Sequence, residues 1–295
     1  MIIYHADDYG ISVNASKDIL ALVEKGALKS FSIIPNMSCF TECMNLLTPI
    51  LESHGDSLTI ALHINLLEGH CCANPKDIPL LVNQAGMFQC KWNWLLRHSF
   101  GGNRRRLRKQ LAIEINEQIK RFLATMPEDY ILCLDSHEHT HMVPVVWDAL
   151  KDVILQNKYQ VQYVRISREP LMPYLRCPYL YRTYLRKNIN KNLRMRFCNM
   201  HVKLHPIVKR KGHYYVWGLI MGDAMDFMRI QKLMPLFKKY GQEPNTLELL
   251  FRPGLLLESE LTEENNQKAS INYETSPRRE TEHRSLLRLS KLPNN

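Results

Sequence analysis

Short apolar segments that alternate with helical patterns constrain the fold of this chain most strongly. Seven segments have the length, apolar content and turn boundaries of β-strands, and helical stretches separate most of them. Strands that alternate with helices pair in parallel, because a parallel neighbour needs a crossover connection. The pattern predicts an α/β fold, either a β/α barrel or an open, doubly wound sheet. The first predicted strand ends at Asp7, the others cover 31–34, 58–64, 130–134, 161–166, 214–219 and 246–251, and the helices cover 14–26, 40–51, 107–123, 145–155 and 225–239.

Two adjacent carboxylates, Asp7 and Asp8, end the first predicted strand. Like charges side by side repel each other, and their burial is costly unless a cation receives the charge. A divalent metal is the cation that suits this position. Because such a pair alone is more often a turn or a helix cap, the prediction of a metal site depends on further ligands elsewhere.

Histidines at the ends of two other predicted strands supply those ligands. His63 ends the strand at 58–64, and His137, His139 and His141 follow the strand at 130–134. Period-two spacing on an extended segment would point the last three imidazoles to one side. Carboxylate and imidazole together accept Mg²⁺, Mn²⁺ or Zn²⁺, and the residue types do not choose among these ions.

The positions of the candidate ligands favour the barrel over the open sheet. Asp8, His63 and His137 each lie just past the C-terminal end of a strand, where β/α-barrel active sites are built, although open sheets also bind ligands there. We therefore predict an irregular, TIM-like barrel of seven strands. If Asp8 binds the metal, Asp7 is free to take a proton from activated water, and this division of roles indicates hydrolysis.

Two segments carry the excess positive charge of the chain. The formal net charge is +10, yet 13 Lys/Arg lie between Arg165 and Lys211 against one acidic residue, and 6 more lie between Arg97 and Lys109. Proline and tyrosine accompany the first group, so we predict that 168–212 is a long basic insertion, a lid over the barrel mouth. Because no nucleic-acid-reading motif accompanies the charge, an anionic or lipid-linked sugar is the expected partner, and nucleic acid is not.

Composition also sets expectations for the domains and the compartment. Residues 1–258 are predicted to form one barrel domain, and the polar stretch 259–295 to form a flexible tail. Eight cysteines without paired metal spacing, and the lack of a leader pattern, favour a reduced, cytoplasmic setting. No apolar run approaches the roughly 18 residues of a membrane span. Homodimer formation stays open.

Three ordered motifs resemble the signature of the YdjC-like carbohydrate deacetylases, which include chitooligosaccharide deacetylases and hopanoid-associated deacetylases. The motifs are HADDYGIS at 5–12, LHINLLEG at 62–69 and DSHEHTHMVP at 135–144. The resemblance, which covers roughly 1–258, implies a β/α-barrel hydrolase that removes acetyl from an N-acetylated saccharide or a glycolipid-type substrate. It matches Asp7 with the family's general base, and Asp8, His63 and His137 with its metal ligands.

Two positions depart from the family pattern. His5 stands where the family usually has Asn, and we interpret it as an adjustment behind the ligands. Arg252 stands where similar enzymes carry a histidine at the end of the final strand, and arginine cannot donate a proton near neutral pH. The proton donor is then predicted to be His139 or His141.

Substrate binding is assigned to Arg252, Asn65 and Glu68. Arg252 either holds a carboxylate or a phosphate of the substrate through a bidentate contact, or it only anchors Asp135 or Glu248. The predicted function is that of a carbohydrate N-deacetylase that depends on a divalent ion, Mg²⁺ or Zn²⁺. Two alternatives are a catalytically weak protein that binds metal and sugar, and a metal-dependent phosphoesterase that uses the same ligands.

Overall fold

A single sheet of seven parallel strands forms the centre of the molecule. The strands are β1 (Ile2–Tyr9), β2 (Ser30–Ile33), β3 (Thr59–Ile64), β4 (Leu132–Ser136), β5 (Val161–Val164), β6 (Tyr214–Trp217) and β7 (Thr246–Phe251). They pair in the order β5-β4-β3-β2-β1-β7-β6, and every pair is parallel. The computed structural model describes residues 1–209, 212–265 and 275–292. The seven strands predicted from the sequence are confirmed.

The sheet curls until its two edge strands approach each other. The rings of Tyr163 on β5 and Tyr214 on β6 stack with centroids 6.2 Å apart. Just beyond β5, the carbonyl of Arg168 accepts a hydrogen bond of 3.0 Å from the backbone N–H of Val216 on β6. In the part of the chain that the structure describes, β5 and β6 share no strand ladder. The molecule is therefore an irregular, barrel-like β/α fold, a seven-stranded half-barrel that is open along one seam.

Helices follow the strands and bury apolar faces against the sheet and against each other. They are α1 (Val13–Glu24), α2 (Phe40–His54), α3 (Trp92–His98), α4 (Arg104–Leu123), α5 (Pro144–Asn157), α6 (Met172–Arg176), α7 (Pro178–Leu180), α8 (Arg186–Leu204), α9 (Phe227–Tyr240) and α10 (Arg278–Leu289). In α4, which the sequence predicted as a helix over 107–123, the apolar stripe of Leu107, Leu111, Ile115 and Ile119 is buried. Each such side chain contributes about 1.5–3 kcal/mol when it is fully buried.

The basic insertion is helical along most of its length. It contains α6, α7, a π-helical turn and the longer α8, whose buried side chains include Met195 and Cys198. Asn188 on α8 donates a hydrogen bond of 3.0 Å to the carbonyl of Ile220, in the loop that follows β6. The insertion thus contacts the loop at the C-terminal end of β6. Residues 210 and 211 at its end lie outside the described residues. Among the described helices, none has both the length and the apolar character needed to cross a bilayer.

The prediction of a flexible tail does not hold for the helix at 278–289. This helix, α10, packs against α1 and α9, and its buried side chains include Leu286 and Leu289. Upstream of it, Asn265 is buried and donates to the carbonyl of Glu260. The prediction failed because α10 also buries polar side chains, so its sequence lacks a strong apolar pattern. The predicted tail residues at 266–274 and 293–295 lie outside the described residues.

Candidate active site

A bulge at the end of β1 lets both adjacent carboxylates enter the interior of the half-barrel. In a regular strand, neighbouring side chains point to opposite faces. The register of β1 against β2 shifts between Ala6 and Tyr9, and Asp8 has a φ of 72°. The extra residue of a bulge re-aims the side chain that carries it. As a result Asp7 and Asp8 are both about 2% exposed, and they make contacts with two different groups of residues.

Asp8 meets the two strand-end imidazoles that the sequence predicted as its partners. Its Oδ1 atom lies 3.0 Å from His137 Nδ1 and 3.5 Å from His63 Nε2. One ligand atom from each of the three residues falls within 4.8 Å of the others, and all three residues are buried. The structure therefore brings together the three predicted ligands, although they come from three distant parts of the chain.

The chemistry of this group fits a divalent metal ion. Asp135 Oδ1 lies 2.6 Å from His63 Nδ1, which leaves Nε2 on the Asp8 side as the ligand atom. A carboxylate behind a ligating histidine is the arrangement that fixes the ring and raises its basicity in metal sites. His137 Nε2 is buried and has no hydrogen-bond partner among the described residues. One carboxylate and two imidazoles leave open positions for water and substrate.

Without an ion, protons stabilise the same group. Burial lowers the pKa of both imidazoles, but the neighbouring carboxylates outweigh it. The pKa of His63 rises to about 9 because of Asp135 and Asp8, and the pKa of His137 rises to about 10 because of its hydrogen bond to Asp8. The Asp8 carboxyl stays ionised, since these imidazoles hold its pKa well below the usual range against the effect of burial. The carboxylates around the two imidazoles thus favour positive charge at this position.

A second buried group contains His5, Asp7 and Asp135, but an arginine already occupies its cation position. Arg165 Nη1 lies 2.9 Å from Asp7 Oδ1, and Arg165 Nη2 lies 2.7 Å from Asp135 Oδ2. The same guanidinium makes two contacts with Glu248, of 2.8 and 3.1 Å. Ligand-type side chains alone would allow a metal here as well. Because the guanidinium neutralises them, the Asp8 group is the better metal site.

The histidine segment does not have the extended conformation that the period-two spacing suggested. Residues 137–142 form a tight helical turn in which Glu138 and His139 have φ of 49° and 57°. His139 Nδ1 lies 3.0 Å from Ser167 Oγ, and its Nε2 is buried without a partner among the described residues. Both ring nitrogens of His141 are engaged, Nδ1 with Ser136 Oγ and Nε2 with the carbonyl of Arg165 at 2.9 Å. Since left-handed residues rotate the chain, the three imidazoles do not share one side.

Two arginines approach the carboxylates from the other direction. Arg252 Nη2 lies 3.3 Å from Asp7 Oδ2, and Arg252 Nε lies 3.8 Å from Asp8 Oδ2. Arg279 on α10 reaches the same Asp8 oxygen at 3.4 Å. Among the described residues, Arg252 therefore anchors Asp7 and Asp8, while Arg165 contacts Asp135 and Glu248.

A cavity of about 560 Å³ opens above the Asp8 group. Its size is typical of a small-molecule site. Cationic side chains contribute much of the wall, and Trp92 offers an aromatic ring. The lining residues are Asp8, His63, Lys91, Trp92, Asn93, His137, Glu138, His139, Asn188, Lys191, Arg194, Met195, Leu219, Ile220, Gly222, Arg252 and Arg279.

Two of the predicted substrate-binding residues do not line this cavity. Asn65 is 1% exposed, and its Oδ1 accepts hydrogen bonds from the backbone N–H groups of Leu67 and Glu68. It therefore shapes the loop after β3 rather than a sugar site. Glu68 Oε1 lies 4.0 Å from His137 Nε2, next to the predicted metal ligands. The prediction for Asn65 thus mistook a loop-forming amide for a binding group.

Sequence reasoning missed Arg165 and Arg279. Arg165 follows β5 and is 0% exposed, and Arg279 is 2% exposed. An arginine within the predicted strand 161–166 is a signal that could have identified Arg165, because a charge that is buried with a strand needs carboxylates around it. Arg279 gave no comparable signal, since it lies among the charged residues of a polar segment.

The fold and the site define a class: a β/α half-barrel with a carboxylate–histidine group at the C-terminal ends of its strands. Within that class, the family model described as YdjC-like protein matches residues 1–289. The chain belongs to the YdjC-like family. The match includes α10, which lies beyond the region that the sequence motifs covered.

Curated relatives and a solved structure agree with this assignment. Carbohydrate deacetylases of Thermoanaerobacter pseudethanolicus and Geobacillus stearothermophilus are each 26% identical over 171 residues, which is 58% of this chain. The chain spans 63% and 62% of their lengths, a little under two thirds. A crystal structure of an Enterococcus faecalis V583 protein linked by name to cellobiose-phosphate cleavage superposes with a TM-score of 0.65 and 17% identity. The superposition covers 97% of this chain and 90% of that one, and it supports the fold.

Proposed function

We propose that this protein is a metal-dependent hydrolase that removes the acetyl group from an N-acetylated amino sugar. The observation that carries the proposal is the convergence of Asp8, His63 and His137 below the cavity, with ligand atoms within 4.8 Å of one another. A divalent ion held by these three residues would act as a Lewis acid toward the acetamide carbonyl and would acidify the attacking water. The names of the curated relatives support a carbohydrate as the substrate.

Asp7 is the proposed acceptor of the proton from water. Burial would raise the pKa of Asp7, but the Arg165 guanidinium, followed by His63 and Arg252, lowers it below its usual range. The carboxylate is therefore ionised at neutral pH and can accept a hydrogen bond. Asp7 does not line the cavity wall, yet it precedes Asp8 in the chain, and one of its oxygens faces Arg252, which does line it. This arrangement keeps the acceptor next to the ligand without exposing it to bulk solvent.

His139 is the better placed of the two histidines that were predicted to act on the leaving nitrogen. It lines the cavity, whereas His141 is held by Ser136 and by the backbone of Arg165. Burial lowers the pKa of His139 well below its usual value, so the ring is neutral. When Ser167 donates to Nδ1, the ring hydrogen resides on Nε2, and the neutral imidazole can donate a hydrogen bond to the leaving nitrogen. The proton that this nitrogen gains is then the one that Asp7 has taken from water.

The cavity wall favours a sugar that carries an acidic group. Lys91, Lys191, Arg194 and Arg252 line it, against the acidic Asp8 and Glu138. A guanidinium binds a carboxylate or a phosphate through paired N–H groups. We therefore assign Arg252 both to anchoring Asp7 and Asp8 and to binding an anionic substituent.

Acetate release from a panel of neutral and acidic N-acetylated saccharides tests the proposal. Asp7→Asn should lower the turnover at least about 100-fold, because general base catalysis is lost. Its metal content, measured by mass spectrometry, should stay near that of the wild type. Asp129→Asn is the matched control, since Asp129 is exposed and its φ of 63° suits asparagine. Normal turnover in Asp7→Asn would rule out its role as base.

The same assay separates the two alternatives. A metal- and sugar-binding protein without hydrolytic activity would retain metal and saccharide but release no acetate from any member of the panel. A phosphoesterase would hydrolyse a generic phosphodiester and release no acetate.

A further inference from the structure

One face of α8 presents a continuous apolar stripe to solvent. From Ile189 onward, five apolar side chains are exposed by 43%, 58%, 47%, 64% and 75%, namely Ile189, Leu193, Phe197, Met200 and Leu204. At 3.6 residues per turn, the five lie within an arc of about 80°. The buried residues of α8, such as Met195 and Cys198, lie on the opposite side of the helix. The stripe is therefore not a core face, and scattered single exposure does not explain it.

Basic residues flank this stripe on both sides. Arg196 and Lys203 follow one edge of the stripe, Lys187 and Arg194 follow the other, and all four are exposed. The sequence from Pro170 to Gly222 contains no Asp or Glu. An amphipathic helix with a basic margin on either side of an apolar face is the pattern that binds an anionic membrane surface.

The second basic segment joins the same surface. Phe100, which is 64% exposed, contacts Phe197 edge-on with ring centroids 5.8 Å apart. It is followed in the chain by α4, whose first turn carries the exposed Arg105 and Arg106. The two basic segments of the sequence thus meet around one exposed apolar patch.

We propose that the α8 stripe, together with Phe100, docks the protein on a membrane surface that contains anionic phospholipids. The apolar side chains enter the headgroup boundary, and the flanking lysines and arginines contact lipid phosphates. Charge complementarity selects this partner, since an apolar stripe with basic residues along both edges would repel a second copy of itself. The proposal concerns binding and is independent of the proposed reaction.

Vesicle sedimentation of the full chain tests the docking surface. The wild type should bind to vesicles of phosphatidylcholine mixed with phosphatidylglycerol. It should bind much less to vesicles of phosphatidylcholine alone. High salt should weaken the binding, because the phosphate contacts are screened. In the Leu193→Gln/Phe197→Gln variant, the partition coefficient between mixed vesicles and solution should be at least about tenfold lower than in the wild type. Equal binding to both kinds of vesicle would overturn the proposal.

Matched variants separate docking from general surface effects. Leu155→Gln changes an equally exposed leucine, 65% against 58%, on α5, and should bind as the wild type does. Arg196→Glu/Lys203→Glu should abolish vesicle binding, whereas Lys238→Glu/Lys239→Glu on α9 should reduce it much less. All these side chains are exposed, so unfolding temperatures should change little.

Two other outcomes would replace the membrane with a different partner. Sedimentation equilibrium that shows a dimer, dissociated by Leu193→Gln/Phe197→Gln, without vesicle binding by the wild type, would make the stripe a self-association face. The third possibility is a protein that binds RNA and does not bind vesicles. If RNA binding is retained in Leu193→Gln/Phe197→Gln but lost in Arg196→Glu/Lys203→Glu, the basic residues bind a nucleic acid. Either result overturns the proposal.

Discussion

Asp8 occupies a backbone conformation that residues other than glycine adopt uncommonly, aspartate more often than most. Its φ of 72° places it in the left-handed region, within a bulge of β1. A residue held there costs on the order of 1–3 kcal/mol, and such strain concentrates at functional sites. The strain has a direct structural result here: Asp7 and Asp8 both face inward, so that one contacts the arginine cluster and the other the imidazoles.

Asp135 should strengthen the binding of a metal ion at the Asp8 group, although it does not contact the ion itself. It contacts His63 Nδ1 at 2.6 Å and Arg165 at 2.7 Å, but it is not one of the three ligands. Asp135→Asn should weaken binding of Zn²⁺ by about 10- to 100-fold, because the ring of His63 loses its charged partner. Competition titration with a metal chelator measures this affinity without any assay of turnover.

A control distinguishes this effect from a general loss of charge. Asp152→Asn removes a carboxylate that contacts Arg108 on the surface, and it should leave the Zn²⁺ affinity unchanged. If Asp135→Asn bound Zn²⁺ as tightly as the wild type, His63 would not need its carboxylate partner, and the proposed ligand set would lose its main support.

At the level of elements, apolar patterning made the strands and the principal helices predictable. The strand ends also located Asp8, His63 and His137, because the carboxyl ends of parallel strands meet at one edge. The turn at 137–142 was not predictable, since two left-handed residues that are not glycine leave no mark in a periodicity. Arg165 escaped for a different reason, because its carboxylate partners are distant in sequence.

Helix α10 was not predicted from the sequence because its buried face contains polar side chains. Its inward face combines Leu286 and Leu289 with Arg279, Glu282 and Ser285, all buried. Glu282 accepts a hydrogen bond of 2.6 Å from the backbone N–H of Arg252, so the helix is attached to the end of β7. Such a face lacks the apolar spacing of an ordinary surface helix. The contacts that order it are specific pairs, which only the folded chain brings together.

The attachment of α10 should depend on pH through Glu282. Burial raises the pKa of Glu282 from 4.5 to about 7. Between these two values the folded state binds more protons than the unfolded state, so the free energy of unfolding falls as the pH rises. Glu282→Gln removes the cost of ionising this buried carboxyl group. Relative to the wild type, the variant should gain about 2–3 kcal/mol between about pH 5 and about pH 8, as measured by urea unfolding.

The exposed Glu280 of the same helix supplies the comparison. Glu280→Gln should show the same pH trend as the wild type, because this exposed side chain pairs with Arg284 at the surface. A difference between Glu282→Gln and the wild type that stayed constant across the pH range would show that Glu282 is ionised in the folded protein at all these values.

At the scale of the whole molecule, charge rather than apolar packing occupies the interior of the half-barrel next to the site. Arg165 follows β5, the strand at the open seam, and its guanidinium contacts Asp7 on β1, Asp135 on β4 and Glu248 on β7. Of these three strands, β4 pairs with β5 in the sheet, whereas β1 and β7 do not. Arg165 thereby connects β5 to two strands across the barrel. Most of the apolar core instead joins strands to helices. A small apolar cluster with Val216 and Leu250 shares the face of Glu248, because Leu250 lies two residues after it on β7.

Arg165→Met should accordingly destabilise the whole fold. The substitution preserves side-chain length but leaves three buried carboxylates without their shared cation, and breaking a buried ion pair in this way costs about 3–5 kcal/mol. Arg284→Met removes an arginine whose partner Glu280 is 57% exposed, so it should cost no more than about 1 kcal/mol. Urea unfolding of both variants at neutral pH measures the contrast. Because protonation of the carboxylates relieves their repulsion, the deficit of Arg165→Met should shrink as the pH is lowered. Equal stability of the two variants would mean that the stability of the half-barrel does not depend on the contacts of Arg165 with the three carboxylates.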